Sequence, residues 1–401
     1  MKLIRFASID GNSNGYWALM ALFAAFIMAA LGSSYFMEHN GHWVTGMNNQ
    51  IVWGLPHVFA VFLIVAASGA LNVASIASVF NKKAYKPLAR LSALLAIALL
   101  MGGLVVLVLD LGRPDRLIIA ATIYNFKSIF AWNMILYSGF IGIVGVYLWT
   151  MMDQTVAKYN RVAGISAFIW RLMLTTGTGS IFGFLVARQG YDAAIMAPMF
   201  VIMSFAFGLA FFLLVLFAAY NGTKRELGDA IVLRLRKLLG VFVAAILYFV
   251  AVFHLTNLYA TEHHGVEAFI LRDGGIFTQL FWAQVVIGGL IPLALIFAPQ
   301  LKNCRKSLAL ASVLVILGGL LQMYVIIIGG QAYPLQLFPG MEVSSSFFDG
   351  VVNSYTPSLA ELMLGLGGVA ITLIVVTLAV KALDLLPVSM ADAVADPHHK
   401  D

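Results

Sequence analysis

The chain has 401 residues, of which 61% are apolar and only 10% charged, with a mean hydropathy of +0.93 and a net charge of +6. Soluble domains carry about 25% charged residues, so the composition excludes a soluble protein and specifies an integral membrane one. The basic residues fall in short loops between apolar runs, which makes the lipid bilayer their counterpart and excludes nucleic acid.

The N-terminus, MKLIRFASIDGNSNGYW, is basic and then polar. The first apolar run, 16–37, is too long for a signal-peptide core and reads as a retained span. Nine more runs long enough to cross a bilayer follow, at 53–80, 91–109, 128–152, 165–187, 198–220, 238–258, 276–298, 308–328 and 359–382. None alternates as the strands of a barrel would. The expected fold is an all-α integral membrane protein of about ten transmembrane helices. One polytopic membrane domain covers 1–382, and a cytoplasmic tail covers 383–401.

Lys and Arg orient the chain. Eighteen of the 24 lie at one end of the spans, from Lys2 and Arg5 to Lys381 and Lys400. Arg113, Arg116, Lys127, Arg188 and Arg272 lie at the other. Positive residues stay cytoplasmic, so both termini are expected inside a bacterial inner membrane. Arg171 sits inside the fifth run, close enough to its cytoplasmic start to snorkel inward. The single cysteine, Cys304, excludes an internal disulfide and argues against an iron–sulfur cluster held by this chain. There is no CxxCH haem-attachment motif.

The unusual residues gather at the outer end. The third run closes in LVLDLGRPDRL. Asp110 and Arg113 are three apart, so they share a helix face and can pair if the helix continues to Pro114. Asp115 and Arg116 then lie beyond it, as interface or partner contacts. An unpaired charge at this depth costs several kcal/mol, so such residues are functional candidates by default. His57 in WGLPHVF, Arg188 and Asp192 in VARQGYD, and His254 in FHLTNLYATEHH fall at the same level. Gln331 and Tyr333 in IGGQAYP read as a tight turn. His39, His42, His263 and His264 read as solvated loop residues, and the loop from 329 to 358 is long enough to carry function. His57 and His254 could ligate one haem, but one histidine per helix with no second pair is a weak signal. No metal site is read from the sequence. A quinone headgroup fits better: its carbonyls need donors, its reduction needs two protons, and its tail needs an apolar groove.

NNQIVWGLPHVF, the basic turn FNKKAYKPLARLSALLA and GGLVVLVLDLGRPDR resemble the NrfD/polysulfide-reductase membrane-subunit family, with DLGRP as its most recognisable word. The ending, GGQAYPLQLFPG to VKALDLLP, is similar to the ten-span HybB-like branch. WGLPHVFAVFLIVAASGALNVASI most resembles the DsrP-like subunits of sulfur-metabolism complexes. The resemblance implies two four-helix bundles with flanking helices, and a chain with no haem or iron–sulfur cluster of its own. The bound substrate would be a quinone, menaquinone or ubiquinone. The partners would be a periplasmic ferredoxin-like iron–sulfur subunit, a multihaem cytochrome c, and a membrane cytochrome b subunit with its cytoplasmic catalytic subunit. Asp110 and Arg113 carry over as site residues. HybB-like chains have an Asp where Ala60 aligns here, which leaves His57 as the substitute donor. His57, Asp110, Arg113, Arg188, Asp192 and His254 together are the candidate quinone-binding and proton-relay set of a non-catalytic or quinone-site subunit. Two other classes stay open: a secondary transporter, for which acidic residues at mid-membrane are lacking, and a structural anchor for periplasmic electron carriers.

Overall fold

The computed structural model describes residues 4–335 and 350–397. Of the long loop expected at 329–358, residues 336–349 lie outside the described residues. Ten long helices follow in order: α1 Asn14–Asn40, α2 Leu55–Ser78, α3 Lys83–Leu109, α4 Ile129–Met152, α5 Asn160–Gly183, α6 Met196–Thr223, α7 Asp229–Tyr259, α8 Ile276–Phe297, α9 Arg305–Ala332 and α10 Leu359–Ala382. Among the described residues, nine helices are long and apolar enough to cross a membrane. The exception, α5, is long enough but carries Arg161, Arg171 and the polar run TTGTGS.

Local signals set the ends. Ser13 accepts from the Tyr16 N–H to start α1, and Ser358 and Glu361 form a capping box that starts α10. Pro56 occupies the first turn of α2, where a missing N–H costs nothing.

Two four-helix bundles form the core. The first is α2, α3, α4 and α5; the second is α6, α7, α8 and α9, and α2 and α5 pack on α6 to join them. The first helix, α1, packs on the last, α10, which in turn packs on α3 and α2. α2 is apolar all round and almost wholly buried, as a central helix must be. Its crossing with α6 is backbone to backbone: a Cβ on Gly69 would collide with the Ser204 carbonyl, and one on Gly208 with the Ala70 nitrogen.

The end of the bundles opposite His57 is tied by both termini. β1 Phe6–Ala7 pairs antiparallel with β2 Leu386–Pro387. Arg225 donates to the carbonyls of Ala7, Ser8 and Leu386, and Arg90 to those of Met151 and Asp384. The described part of the tail therefore folds back on the membrane domain, with Leu385, Leu386 and Met390 buried.

Arg171 does not snorkel. It is 3% exposed and donates to the Ser68 carbonyl at 3.1 Å and to Asn72 Oδ1 at 2.5 Å, between the rings of Phe168 and Phe205. The bundle supplies neutral acceptors closer than the interface, so the guanidinium stays inside.

Candidate functional site

His57 sits in the first turn of α2 and Asp110 caps the last turn of α3, where its backbone N–H bonds the Val106 carbonyl. The two helices pack side by side and bring His57 Nδ1 to 2.8 Å from Asp110 Oδ2. The Asp110 side chain is 1% exposed and that of His57 21%. Asp110 Oδ1, Asp110 Oδ2 and His57 Nδ1 are all buried without a hydrogen bond of good geometry among the described residues, so the contact is a close approach rather than a formed hydrogen bond. A carboxylate at the negative end of a helix is electrostatically misplaced as a structural residue. Burial adds to the cost, so it needs a cation, a proton or a ligand. Trp53 stacks over His57 at 6.2 Å and meets Phe130 and Phe182 edge-on, each at 6.0 Å. The result is a partly exposed titratable ring with an aromatic neighbour on one side and a buried acid behind it. Such a ring can meet a flat polar ligand and accept or return its protons.

Arg113 does not join this pair. The helix stops at Leu109 rather than running to Pro114, because the residue before a proline is driven out of the helical region. Arg113 adopts φ −142° and ψ 69°, so the shared face with Asp110 is lost. Its guanidinium forks onto Asp115 at 3.0 and 2.9 Å, and both side chains are more than half exposed. The hydrogen bonds from Arg113 hold the Asp115 carboxyl below its ordinary range. Arg116 and the short helix Leu117–Thr122 follow on the surface, with Ile118 and Ile119 exposed.

Arg188 acts one step back. It donates to the Gln331 carbonyl at 3.0 Å and the Gln50 carbonyl at 2.9 Å, and burial lowers its guanidinium from the ordinary arginine range. Gln331 is more than a turn residue. Its Oε1 accepts from Val52 and Trp53, and its Nε2 donates to the Trp53 and Ile327 carbonyls. Tyr355 takes the Leu55 N–H and donates to Glu361, whose other oxygen accepts from Gly46 and Ser358. Burial first, then the charge of Glu361, pushes the Tyr355 phenol well above its ordinary range. These groups fasten the 46–55 segment that delivers Trp53 and His57. Sequence reasoning passed over Gln50, Tyr355 and Glu361; only the capping-box spacing Ser358-x-x-Glu361 was a readable signal.

Asp192 is half-buried, and its backbone N–H bonds the Arg188 carbonyl. His254 is not part of the His57 pair. Its Nδ1 lies 2.7 Å from Glu267 Oε2, which makes a second histidine–carboxylate pair in the second bundle. The six candidates thus divide into the His57–Asp110 pair, the Arg188 clamp, the exposed Arg113, Asp192 and the His254–Glu267 pair. His263 is buried rather than solvated. No group of three or more His, Cys, Asp or Glu is placed to hold a metal among the described residues.

The family model described as polysulphide reductase, NrfD matches residues 43–334. An integral membrane subunit of an Hdr-like menaquinol oxidoreductase from Archaeoglobus fulgidus is 29% identical over 98% of this chain and 99% of its own. A putative membrane subunit of a dimethyl sulfoxide reductase from Halobacterium salinarum is 26% identical over 91% of each chain. A menaquinone reductase integral membrane subunit from Nitratidesulfovibrio vulgaris is 22% identical over 92% of this chain and 91% of its own.

Proposed function

The chain belongs to the polysulphide reductase NrfD family, and from that premise we propose that it is the quinone-reactive integral membrane subunit of a respiratory redox complex. One observation carries the reading: the buried Asp110 carboxylate, 2.8 Å from His57 Nδ1 and without a hydrogen bond of good geometry on either oxygen among the described residues, behind a partly exposed imidazole that stacks on Trp53. The exposed edge of His57 beside Trp53 is the proposed slot for a quinone headgroup, which would meet the imidazole edge to edge. Oxidation of a quinol yields two electrons and two protons. His57 takes one proton through Nε2, while Asp110, close to Nδ1, favours the imidazolium, and the other proton leaves to water at the partly exposed edge of the ring. The electrons leave to a centre held by a partner, since the one cysteine of this chain, Cys304, lies at the other end of the bundles, between α8 and α9.

The names of two relatives favour menaquinone. The proposed partner at the slot is a periplasmic ferredoxin-like iron–sulfur subunit, which would dock over Arg113, Asp115 and the helix Leu117–Thr122 beside it. A multihaem cytochrome c and a cytochrome b subunit with a cytoplasmic catalytic subunit would complete a sulfur-metabolism complex in a bacterial inner membrane.

The test is quinol oxidation by the assembled complex carrying Asp110→Asn or His57→Gln. Each variant is expected to lose roughly 10²–10⁴-fold in turnover, the usual worth of a positioned acid or base. Assembly should stay intact. Undiminished turnover, or a complex that no longer assembles, returns the pair to a structural role.

A further inference from the structure

The second bundle holds a partly open cavity that the quinone reading does not use. It begins beside Gly190 and Gly330 and runs inward between α7, α8 and α9. Its two chambers, of about 40 and about 20 Å³, share Val250, Gln284 and Gln322. A buried water takes up ~10–15 Å³ on this scale, so the chambers have room for about four waters and none for a quinone ring.

The lining asks for water. Gln284 and Gln322 are 8% and 4% exposed, and both line both chambers. A buried carboxamide needs hydrogen-bond partners, and water in the adjoining space can supply them to both. His254 lines the same space. Its Nδ1 faces Glu267, which is 1% exposed and also accepts from Asn257 Nδ2 at 2.9 Å. Phe253 and Phe281 pack edge-on against the His254 ring at 4.9 and 4.7 Å. Three π-helical turns, Phe269–Asp273, Val286–Leu290 and Val325–Gly329, each contribute a lining residue. Such turns widen a helix by one residue and recur at functional sites. At the inner end Gly288 and Gly318 meet backbone to backbone, and a Cβ on either would collide with the other.

The other titratable groups near the pair are engaged elsewhere. Arg188 holds the Gln50 and Gln331 carbonyls, Tyr191 donates to the Ile327 carbonyl, and Arg272 pairs with Asp273 at the surface. His263 faces Glu262, and His264 meets the Leu258 carbonyl. Tyr324, on α9, stands against Phe277 and Tyr355.

We propose that this cavity is a second, proton-holding site: a short chain of buried waters, held by Gln284 and Gln322, that serves the His254–Glu267 pair. It ends at Gly288 and Gly318, so it stores a proton at the outer half of the second bundle and does not carry it across.

The test needs no quinone, so its result is separate from that of the His57–Asp110 reading. High-resolution density of the assembled complex should show discrete waters bridging Gln284 and Gln322. Infrared difference spectra of the purified full chain in lipid nanodiscs, stepped in pH, should show a carboxyl–imidazole signal. Glu267→Gln removes that signal and Asp110→Asn leaves it. Gln322→Leu keeps the pair but removes a water anchor, and it should slow deuterium exchange of the signal. A dry cavity, continuous acyl or isoprenoid density, a signal that survives Glu267→Gln, or exchange unaltered by Gln322→Leu each overturns the proposal. Should Glu267→Gln fail to fold, the density and the Gln322→Leu exchange decide it.

Discussion

Gln331 and Trp53 bond to each other in both directions: the Trp53 N–H donates to Gln331 Oε1 at 3.0 Å, and Gln331 Nε2 donates back to the Trp53 carbonyl at 3.0 Å. A side chain at the end of α9 thereby holds the backbone just ahead of α2 in place. The second bundle in this way positions a residue of the site in the first.

Gln331→Leu keeps the volume and removes both bonds to Trp53 together with those to Val52 and Ile327. Each backbone group left without a partner and out of reach of water costs about 1–3 kcal/mol. The expected outcome is a lower melting temperature with weaker binding of a quinone analogue by the purified chain, measured by fluorescence quenching. A stability loss with unaltered binding would mean that the clamp does not position the slot.

Arg171 and Asn72 offer a comparison of two substitutions at one contact. Asn72→Leu leaves the guanidinium buried with one acceptor fewer, and a hydrogen bond to a charged group is worth about 1.5–3 kcal/mol. Arg171→Met removes the charge and its desolvation together, which is often close to neutral. Thermal unfolding in one detergent should therefore rank Asn72→Leu as the more damaging change. The opposite ranking shows that the cation itself holds the first bundle together.

Arg113 lies one turn of chain from Asp110 yet points to solvent with Asp115. Exposed ion pairs contribute little to stability. Arg113→Ala is expected to leave melting temperature and quinone-analogue affinity of the isolated chain unchanged, and to reduce recovery of the assembled complex in a pull-down. Loss of affinity in the isolated chain would put Arg113 inside the slot.

The ten helices were legible because a spanning helix is a local object. About twenty apolar residues close their own backbone hydrogen bonds, and no neighbour is needed to recognise them. The last run matches α10 at both ends, Leu359 and Ala382, where Ser358 and Glu361 mark the start. The run at 165–187 was displaced from α5, whose first turn is polar and whose last apolar residues leave the helix. His57 and Asp110 were both legible as charges at membrane depth, but their pairing was not. The expected partner of Asp110 was Arg113, three residues away; the observed one is 53 positions back on another helix. Glu361 reaches Gly46 across 315 positions, and Arg188 reaches Gln331 across 143.

The sequence by itself determined the membrane class, the helices, and the end at which His57, Asp110, Arg188 and His254 gather. The tertiary structure decided which carboxylate each histidine faces, that Arg171 turns inward, and that Gln331 and Tyr355 hold the approach to α2. The physical reason is that a helix apolar all round carries little record of its own rotation. That rotation is set where backbones meet, as at Gly69 against Ser204 and Gly288 against Gly318, and those contacts belong to no single stretch of the chain.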